Sequence, residues 1–182
     1  PIAKEKASFM ISGRRSYLDL LGRPAQRIDQ RGNPYDKELT SFDFSDLNGK
    51  VNYKLSDRDR IYISAYASQD NLVQRYRGID RTNDQRTFGS DLGLGWSNRV
   101  ASLRWNHLFS ERQFLKVTAF STRYKYSYAT NNRFTDSASG DFRTDDEVYA
   151  SNIRDLGGRV DLYWRPAARH TLRTGGTVVR KD

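Results

Sequence analysis

The sequence predicts an all-β protein, an antiparallel meander of about seven strands that forms part of a transmembrane β-barrel. Apolar and polar residues alternate with a period of two along several segments, and helical periodicity is almost absent. The connections between these segments alternate between short and long. The chain is polar, with 36% hydrophobic residues and a mean hydropathy of −0.84, yet 13% of its residues are aromatic. This composition is unlike that of a disordered chain, so the chain is expected to fold.

Composition narrows the classes of protein. The chain has 31 Lys and Arg against 22 Asp and Glu, a net charge of +9, which suits nucleic acid, an anionic membrane surface or an acidic ligand. It contains no cysteine, which excludes disulfides and thiolate metal sites. No apolar run reaches the roughly eighteen residues of a spanning helix, whereas barrel strands need only about ten each. Because Pro1 begins no signal-like segment, we expect a mature or internal part of a protein.

The elements follow in order. An opening strand near Ala7 to Gly13 has Phe9 and Ile11 on one face. The clearest strand runs from Asp46 to Leu55 and has its apolar face at alternate positions, namely Leu47, Gly49, Val51, Tyr53 and Leu55. After a polar turn at 56–59, the pattern resumes with Ile61, Ile63, Ala65 and Ala67. These two strands are predicted to form a hairpin.

Two further hairpins have the same form. In the first, Ala101, Leu103 and Trp105 precede a turn around 110–112, and Leu115, Val117 and Ala119 follow it. In the second, alternate residues from Leu156 to Trp164 precede a turn at 166–169, and alternate residues from Leu172 to Val178 follow it. Both patterns place one apolar and one polar face on each strand.

The predicted connections at 56–59, near 110 and at 166–169 are short, while those at 14–40, 70–90 and 129–151 are long. Long loops are uncommon in compact soluble domains, whereas outer-membrane barrels combine short periplasmic turns with long extracellular loops. Apolar-face aromatics near the short turns, Tyr53, Trp105 and Trp164, match an interfacial girdle.

Two alternatives remain open. One is a soluble ligand-binding β-barrel or sandwich whose aromatics fill a private core. The other is a small self-contained outer-membrane barrel, which needs at least an eighth strand. The polar face carries charges in mid-strand, and a wide aqueous lumen accommodates them better than a small core does; they are Lys50, Lys54, Arg104, Lys116, Arg159 and Asp161.

Three segments resemble the barrel of TonB-dependent outer-membrane receptors, especially those common in Bacteroidetes. They are SFMISGRRSYLDLL (8–21), DFSDLNGKVNYKLSDRDRIYISAYASQDN (43–71) and WSNRVASLRWNHLFSERQFLKVTAFSTRYKYSY (96–128). The resemblance implies a barrel of about twenty-two strands closed around a plug, with transport energised by contact between a TonB box and the TonB protein. The sequence shows neither plug nor TonB box. Residues 1–182 are therefore expected to be a single internal segment of the barrel domain.

The resemblance implies a bacterial outer-membrane receptor that binds and imports a nutrient, such as an iron chelate, vitamin, glycan or peptide. Implied partners are outer-membrane lipid and lipopolysaccharide, TonB through the missing plug region, a surface lipoprotein and the nutrient. We expect no enzymatic activity, no cofactor and no nucleic-acid partner.

Candidate substrate-binding residues lie at the predicted extracellular ends of the polar face and in the adjoining loops. Tyr and Arg provide stacking and multidentate hydrogen bonds at low ordering cost. The candidates, for which ordinary packing is an equal alternative, are Tyr66, Arg75, Tyr76, Arg77, Tyr124 and Tyr126.

Other motifs carry less chemistry. His107 and His170 have no carboxylate nearby in sequence at a metal-ligand or catalytic spacing. The glycine-rich segment 89–95 lacks the lysine and the helix of a nucleotide loop. The acidic residues of 136–147 could bind calcium, although a solvated loop or a lipopolysaccharide-bridging role fits them better. The basic segment 75–77, with Arg81 and Arg86, suits anionic lipopolysaccharide or an acidic ligand better than nucleic acid.

Overall fold

The computed structural model describes residues 6–16, 36–80, 82 and 85–182 and confirms an all-β antiparallel meander. Within these residues, seven strands form one sheet in chain order, and each pairs with the next. The strands are β1 (Ala7–Arg15), β2 (Asp36–Lys54), β3 (Asp59–Ile79), β4 (Arg86–Ser110), β5 (Gln113–Asp136), β6 (Asp141–Ala167) and β7 (His170–Lys181).

The central strands are much longer than the sequence predicts. β4, β5 and β6 contain 25, 24 and 27 residues, against the roughly ten that cross a bilayer. The predicted long loops at 70–90 and 129–151 are therefore wrong, because β3 to β6 continue through most of these residues. The loop predicted at 14–40 lies largely outside the described residues. Residues 129–136 and 141–148 show no apolar face in the sequence, but they pair with each other through their backbones, which requires none.

Local hydrogen bonds explain the tight connections. The turn between β2 and β3 closes on Ser56, whose hydroxyl oxygen accepts the backbone N–H groups of Arg58 and Asp59 at 3.1 and 3.0 Å. At the opposite end of the sheet, residues 137–140 join β5 to β6. Gly140 has a φ of +77°, a left-handed conformation that favours glycine.

Continuous register divides the sheet into two faces. Val51 lies opposite Ile63, which lies opposite Leu103, so the apolar residues of neighbouring strands share one face. We call this the apolar face, and we call the group of apolar residues on it the apolar band. The band comprises Phe9, Ile11, Leu47, Val51, Tyr53, Ile61, Ile63, Ala65, Ala67, Ala101, Leu103, Trp105, Leu115, Val117, Ala119, Leu156, Val160, Leu162, Trp164, Leu172 and Val178. The opposite face is the polar face.

No layer covers the apolar band among the described residues. None of their hydrophobic side chains is buried, and Ile11, Leu156 and Val178 are 70%, 62% and 79% exposed. A sheet that is apolar on one face normally buries that face against a second layer. The described residues also contain no helix long and apolar enough to span a membrane.

Candidate functional site

An aromatic patch lies on the polar face beyond the band, toward the ends of the long strands. Alternate residues of β2 and β5 point to this face, and register brings β4 and β6 beside them. Aromatic residues at every second position of a strand, such as Phe42 and Phe44, therefore share this face. The patch comprises Phe42, Phe44, Trp96, Tyr126, Tyr128 and Tyr149.

Ring contacts connect members of the aromatic patch. The ring of Phe42 lies 6.1 Å from that of Phe44 and 6.4 Å from that of Trp96. Tyr126 and Tyr149 pair at 6.0 Å with an interplanar angle of 57°. Such tilted pairs are favourable arrangements of aromatic rings. The patch offers ring faces and phenol hydroxyls to a ligand above the sheet.

Three of the six predicted substrate-binding residues lie at or below this patch. Tyr126 belongs to it, Tyr124 lies two residues below it on β5, and Tyr66 lies on β3 in the row below Tyr124. All three point to the polar face. Tyr76 shares that face but lies ten residues further along β3 than Tyr66, about 33 Å away along the strand.

The two predicted arginines lie on the other side of the sheet. Arg75 and Arg77 share the parity of Ile61 and Ile63 and therefore point to the apolar face, beyond the band. The Arg77 guanidinium donates two hydrogen bonds to Asp91, at 3.0 and 2.8 Å, and Arg75 lies 3.8 Å from the same carboxylate. The hydrogen bonds from Arg77 lower the pKa of Asp91. The structure thus separates Arg75 and Arg77 from the four tyrosines.

Charged residues occupy the polar face behind the band. The Arg104 guanidinium stacks 4.2 Å from the Tyr62 ring centroid. Arg159 binds both carboxylate oxygens of Asp161 at 2.9 Å, and Lys116 approaches the same carboxylate at 3.4 Å. Asp161 thus pairs with two cations in mid-strand, whereas Arg104 Nε is buried without a hydrogen-bond partner among the described residues. Mid-strand charges suit a wet surface, because isolated charges in an apolar layer are costly.

The structure gives His107 a carboxylate neighbour that sequence spacing did not reveal. Cross-strand pairing brings His107 Nδ1 within 2.7 Å of Asp59 Oδ1, and Trp105 Nε1 donates to the same oxygen at 3.0 Å. Ser56 donates to the other carboxylate oxygen at 2.7 Å. The carboxylate stands between the serine and the histidine, so His107 cannot serve Ser56 as the base of a serine triad.

The acidic residues of 136–147 are divided by the hairpin. Asp136 binds Arg86 at 2.8 Å and accepts the N–H of Ala138 at 3.0 Å, so it closes a turn. Asp145 and Asp146 are consecutive strand residues and point to opposite faces. In the part of the chain that the structure describes, no three His, Cys, Asp or Glu side chains are grouped to hold a metal ion.

Sequence reasoning missed Phe42, Phe44, Trp96, Tyr128 and Tyr149 as site residues. The signal was present as alternating aromatics, but Phe42 and Phe44 follow the predicted loop at 14–40 and Tyr149 lies inside the one at 129–151, which hid the strand pattern. Trp96 joins Phe42 only because β3 places β2 and β4 in fixed register. That register depends on pairing between strands, which a single sequence does not display.

No family model and no curated protein matches this chain. A chain in the structure of the RagAB peptide importer in the "open-open" state has a similar backbone, with a TM-score of 0.50 and 7% sequence identity. The match covers 79% of this chain and 18% of that chain, so our chain spans less than a fifth of its length. The KdgM porin in complex with disordered oligogalacturonate aligns over 81% of this chain and 91% of that chain, at 13% sequence identity and a TM-score of 0.15. The similarity to RagAB shows the sheet architecture alone.

Proposed function

We propose that this chain is part of the barrel wall of a TonB-dependent outer-membrane receptor that binds and imports a nutrient. One observation carries the proposal: a single-layer sheet has a continuous apolar band on one face, charges on the other, and no buried hydrophobic side chain among its described residues. Lipid would supply the missing apolar layer. An aqueous lumen would solvate the polar face.

The dimensions of the band suit an outer membrane. In β6 the band runs from Leu156 to Trp164, eight residue steps or about 26 Å along the strand. A barrel tilt of about 40° reduces this span to about 20 Å along the membrane normal, near the roughly 25 Å apolar band of such barrels. The 27-residue β6 would therefore project well beyond the membrane, and so would its neighbours.

The polar face supports the transport part of the proposal. Charges such as Arg104 and Asp161 stand directly behind the band, where a packed core would have to desolvate them. Beyond them the aromatic patch offers several ring faces to a ligand that enters from the long-strand end. Rings of this kind stack on sugars, chelate rings and peptide side chains, so the cargo is an organic nutrient: an iron chelate, vitamin, glycan or peptide.

Two comparisons support the choice of receptor class. Segments 8–21, 43–71 and 96–128 resemble the barrel strands and turns of TonB-dependent receptors, and one solved structure with a similar backbone is a peptide importer. On this basis we propose TonB as the energising partner, through a plug region, and a surface lipoprotein as a further partner. We also propose no enzymatic role for the chain.

Uptake measurements test this proposal. The intact protein is expressed in its host, and accumulation of labelled iron chelates, vitamins, glycans and peptides is compared with and without a functional TonB protein. We expect the protein in the outer-membrane fraction and one cargo class whose accumulation needs both the protein and TonB. Recovery of a monomeric, detergent-independent protein would favour a soluble binding domain instead. Uptake that is independent of TonB would contradict active transport.

A further inference from the structure

Three arginines stand side by side at one edge of the apolar band. Arg99, Arg123 and Arg154 are direct cross-strand partners in β4, β5 and β6, and all three lie on the apolar face. We call them the arginine row. Neighbouring positions on paired strands are only about 5 Å apart, and like charges placed there repel each other. A row of this kind is stabilised when an anion bridges it.

No carboxylate among the described residues forms a salt bridge with the arginine row. Arg123 donates a hydrogen bond to the neutral amide of Asn152 at 2.9 Å, which orients the guanidinium without neutralising it. Asp182 lies opposite Arg154 along the backbone, but its carboxylate binds Arg180 at 3.1 Å. The arginine row therefore concentrates positive charge on the surface that faces lipid in the proposed barrel.

An apolar groove of about 420 Å³ opens on the band side of the arginine row. Its floor consists of small residues at neighbouring positions, Gly49, Ala65 and Ala101, and a Cβ added to Gly49 would meet no atom within 4 Å. The protruding side chains of Ile11 and Leu47 lie along it, 70% and 57% exposed. The groove has the apolar lining that an acyl chain requires.

A polar groove of about 510 Å³ opens on the other side of the same arginines. Arg99 and Arg123 line both grooves, and the polar one adds neutral hydrogen-bonding groups and one further cation: Gln69, Asn71, Ser97, Lys125, Ser127 and Asn152. Amides and hydroxyls of this kind bind sugar hydroxyls, while Lys125 adds a second point for a phosphate. The order along the face is thus apolar, cationic and then polar.

We infer that this surface is a binding site for a phosphorylated glycolipid of the outer leaflet. The acyl chain would lie in the apolar groove, a phosphate would bridge Arg99 and Arg123, and the sugar would occupy the polar groove. Charge complementarity selects an anionic headgroup, and the second groove selects a sugar over a glycerol phosphate. The inference rests on the proposed membrane location and adds a specific lipid site to it.

Lipid retention by the intact protein tests the site. The protein is purified from outer membranes in mild detergent, and bound lipid is counted by native mass spectrometry. It is then stripped and titrated with bisphosphorylated lipid A, dephosphorylated lipid A and phosphatidylglycerol. We expect the R99Q/R123Q variant to bind bisphosphorylated lipid A about tenfold more weakly than the parent, because two charge-assisted contacts are lost. Dephosphorylated lipid A should bind the parent equally weakly.

Two further variants separate this site from general effects of charge or folding. R58Q/R112Q also removes two positive charges, but from the short turns at the opposite edge of the band. We expect its lipid A binding to equal that of the parent. Gly49→Leu places a side chain over the floor of the apolar groove, where the new Cβ would meet no atom within 4 Å, and it keeps every arginine; we expect weaker binding. If R99Q/R123Q does not assemble, Gly49→Leu decides the question.

The outcomes distinguish the lipid site from the proposed function. Equal lipid A binding by the parent, R99Q/R123Q and Gly49→Leu would overturn the site, although the protein would still reside in the membrane. Equal competition by phosphatidylglycerol would overturn the choice of a glycolipid. A protein recovered without any outer-membrane association would overturn the proposed function itself.

Discussion

If the apolar band faces lipid, the substitution Leu103→Arg should lower the stability of the protein. Leu103 lies in β4 between Trp105 at one edge of the band and Ala101 at the other, and its side chain is 49% exposed. Its cross-strand neighbours are Ile63 and Ala119, neither of which can pair with a guanidinium. If this face meets lipid, the arginine must either remain charged in hydrocarbon or distort the bilayer.

The expected cost follows from the depth of the residue. An arginine on the lipid face destabilises a barrel by about 2–4 kcal/mol at the bilayer midplane and by about 0–1 kcal/mol near the interface. Leu103 lies near the middle of the β4 segment of the band, so we expect a loss of about 3 kcal/mol, or roughly a hundredfold in the folding equilibrium constant. The same substitution on a surface in water would change stability by about 0.5 kcal/mol or less.

The matched control is Ser102→Arg, one residue away on the polar face. Reversible denaturant unfolding of the intact protein in lipid vesicles, followed by tryptophan fluorescence, measures both variants. We expect Ser102→Arg to remain within about 0.5 kcal/mol of the parent. Equal effects of the two substitutions, or a neutral Leu103→Arg, would refute the assignment of faces.

Three further predictions follow from particular contacts. Gly157→Ala should destabilise the protein by about 1–3 kcal/mol in the same unfolding assay, because the new Cβ would lie 2.4 Å from the ring of Phe120. Phe120→Ala should remove most of this penalty, and additive effects of the two substitutions would show that the ring is not the cause. Arg86 lowers the pKa of Asp136, so the stability this pair gives the β5–β6 hairpin should persist above the ordinary carboxyl pKa of 3.8 and decline as pH falls through the lowered value. Amide exchange of residues 137–140 should show that acid dependence in the parent and lose it in Asp136→Asn, whereas a parent without it would contradict the pairing. Trp96→Ala should weaken binding of the identified cargo about tenfold in a titration of the purified protein, since stacking is lost, and unchanged affinity would exclude the aromatic patch from the cargo site.

The sequence predicted well the part of the sheet that carries the apolar band. In segments such as 46–55 and 101–105, the need to place apolar residues on one face leaves a period of two that a single sequence displays. The short turns are equally visible, because polar residues such as Ser56 and Asp59 supply their own hydrogen bonds. These features depend on neighbours along the chain, so no knowledge of the other strands is needed.

The strand residues beyond the apolar band could not be predicted, because they lack the alternation that marks the band. Water contacts both faces there in the proposed barrel, so no apolar alternation marks residues 129–151 as strands. The face of Arg75 and Arg77 could have been inferred from their parity with Ile61, had the strand been predicted to continue. The arginine row could not have been inferred from the sequence, since Arg99, Arg123 and Arg154 meet only through the register of three strands.

Cysteine accessibility along β4 tests the central claim most directly. Residues 1–182 contain no cysteine, so once any cysteine elsewhere in the intact protein is replaced by serine, a single cysteine can be placed in turn at 101, 102, 103 and 104. Each variant of the intact protein, in native outer membranes, is treated with a membrane-impermeant maleimide small enough to enter a barrel lumen. The account predicts labelling at 102 and 104 and protection at 101 and 103. Protection at 102 and 104 with labelling at 101 and 103, or uniform labelling at all four, would contradict a sheet with one face in lipid and the other in water.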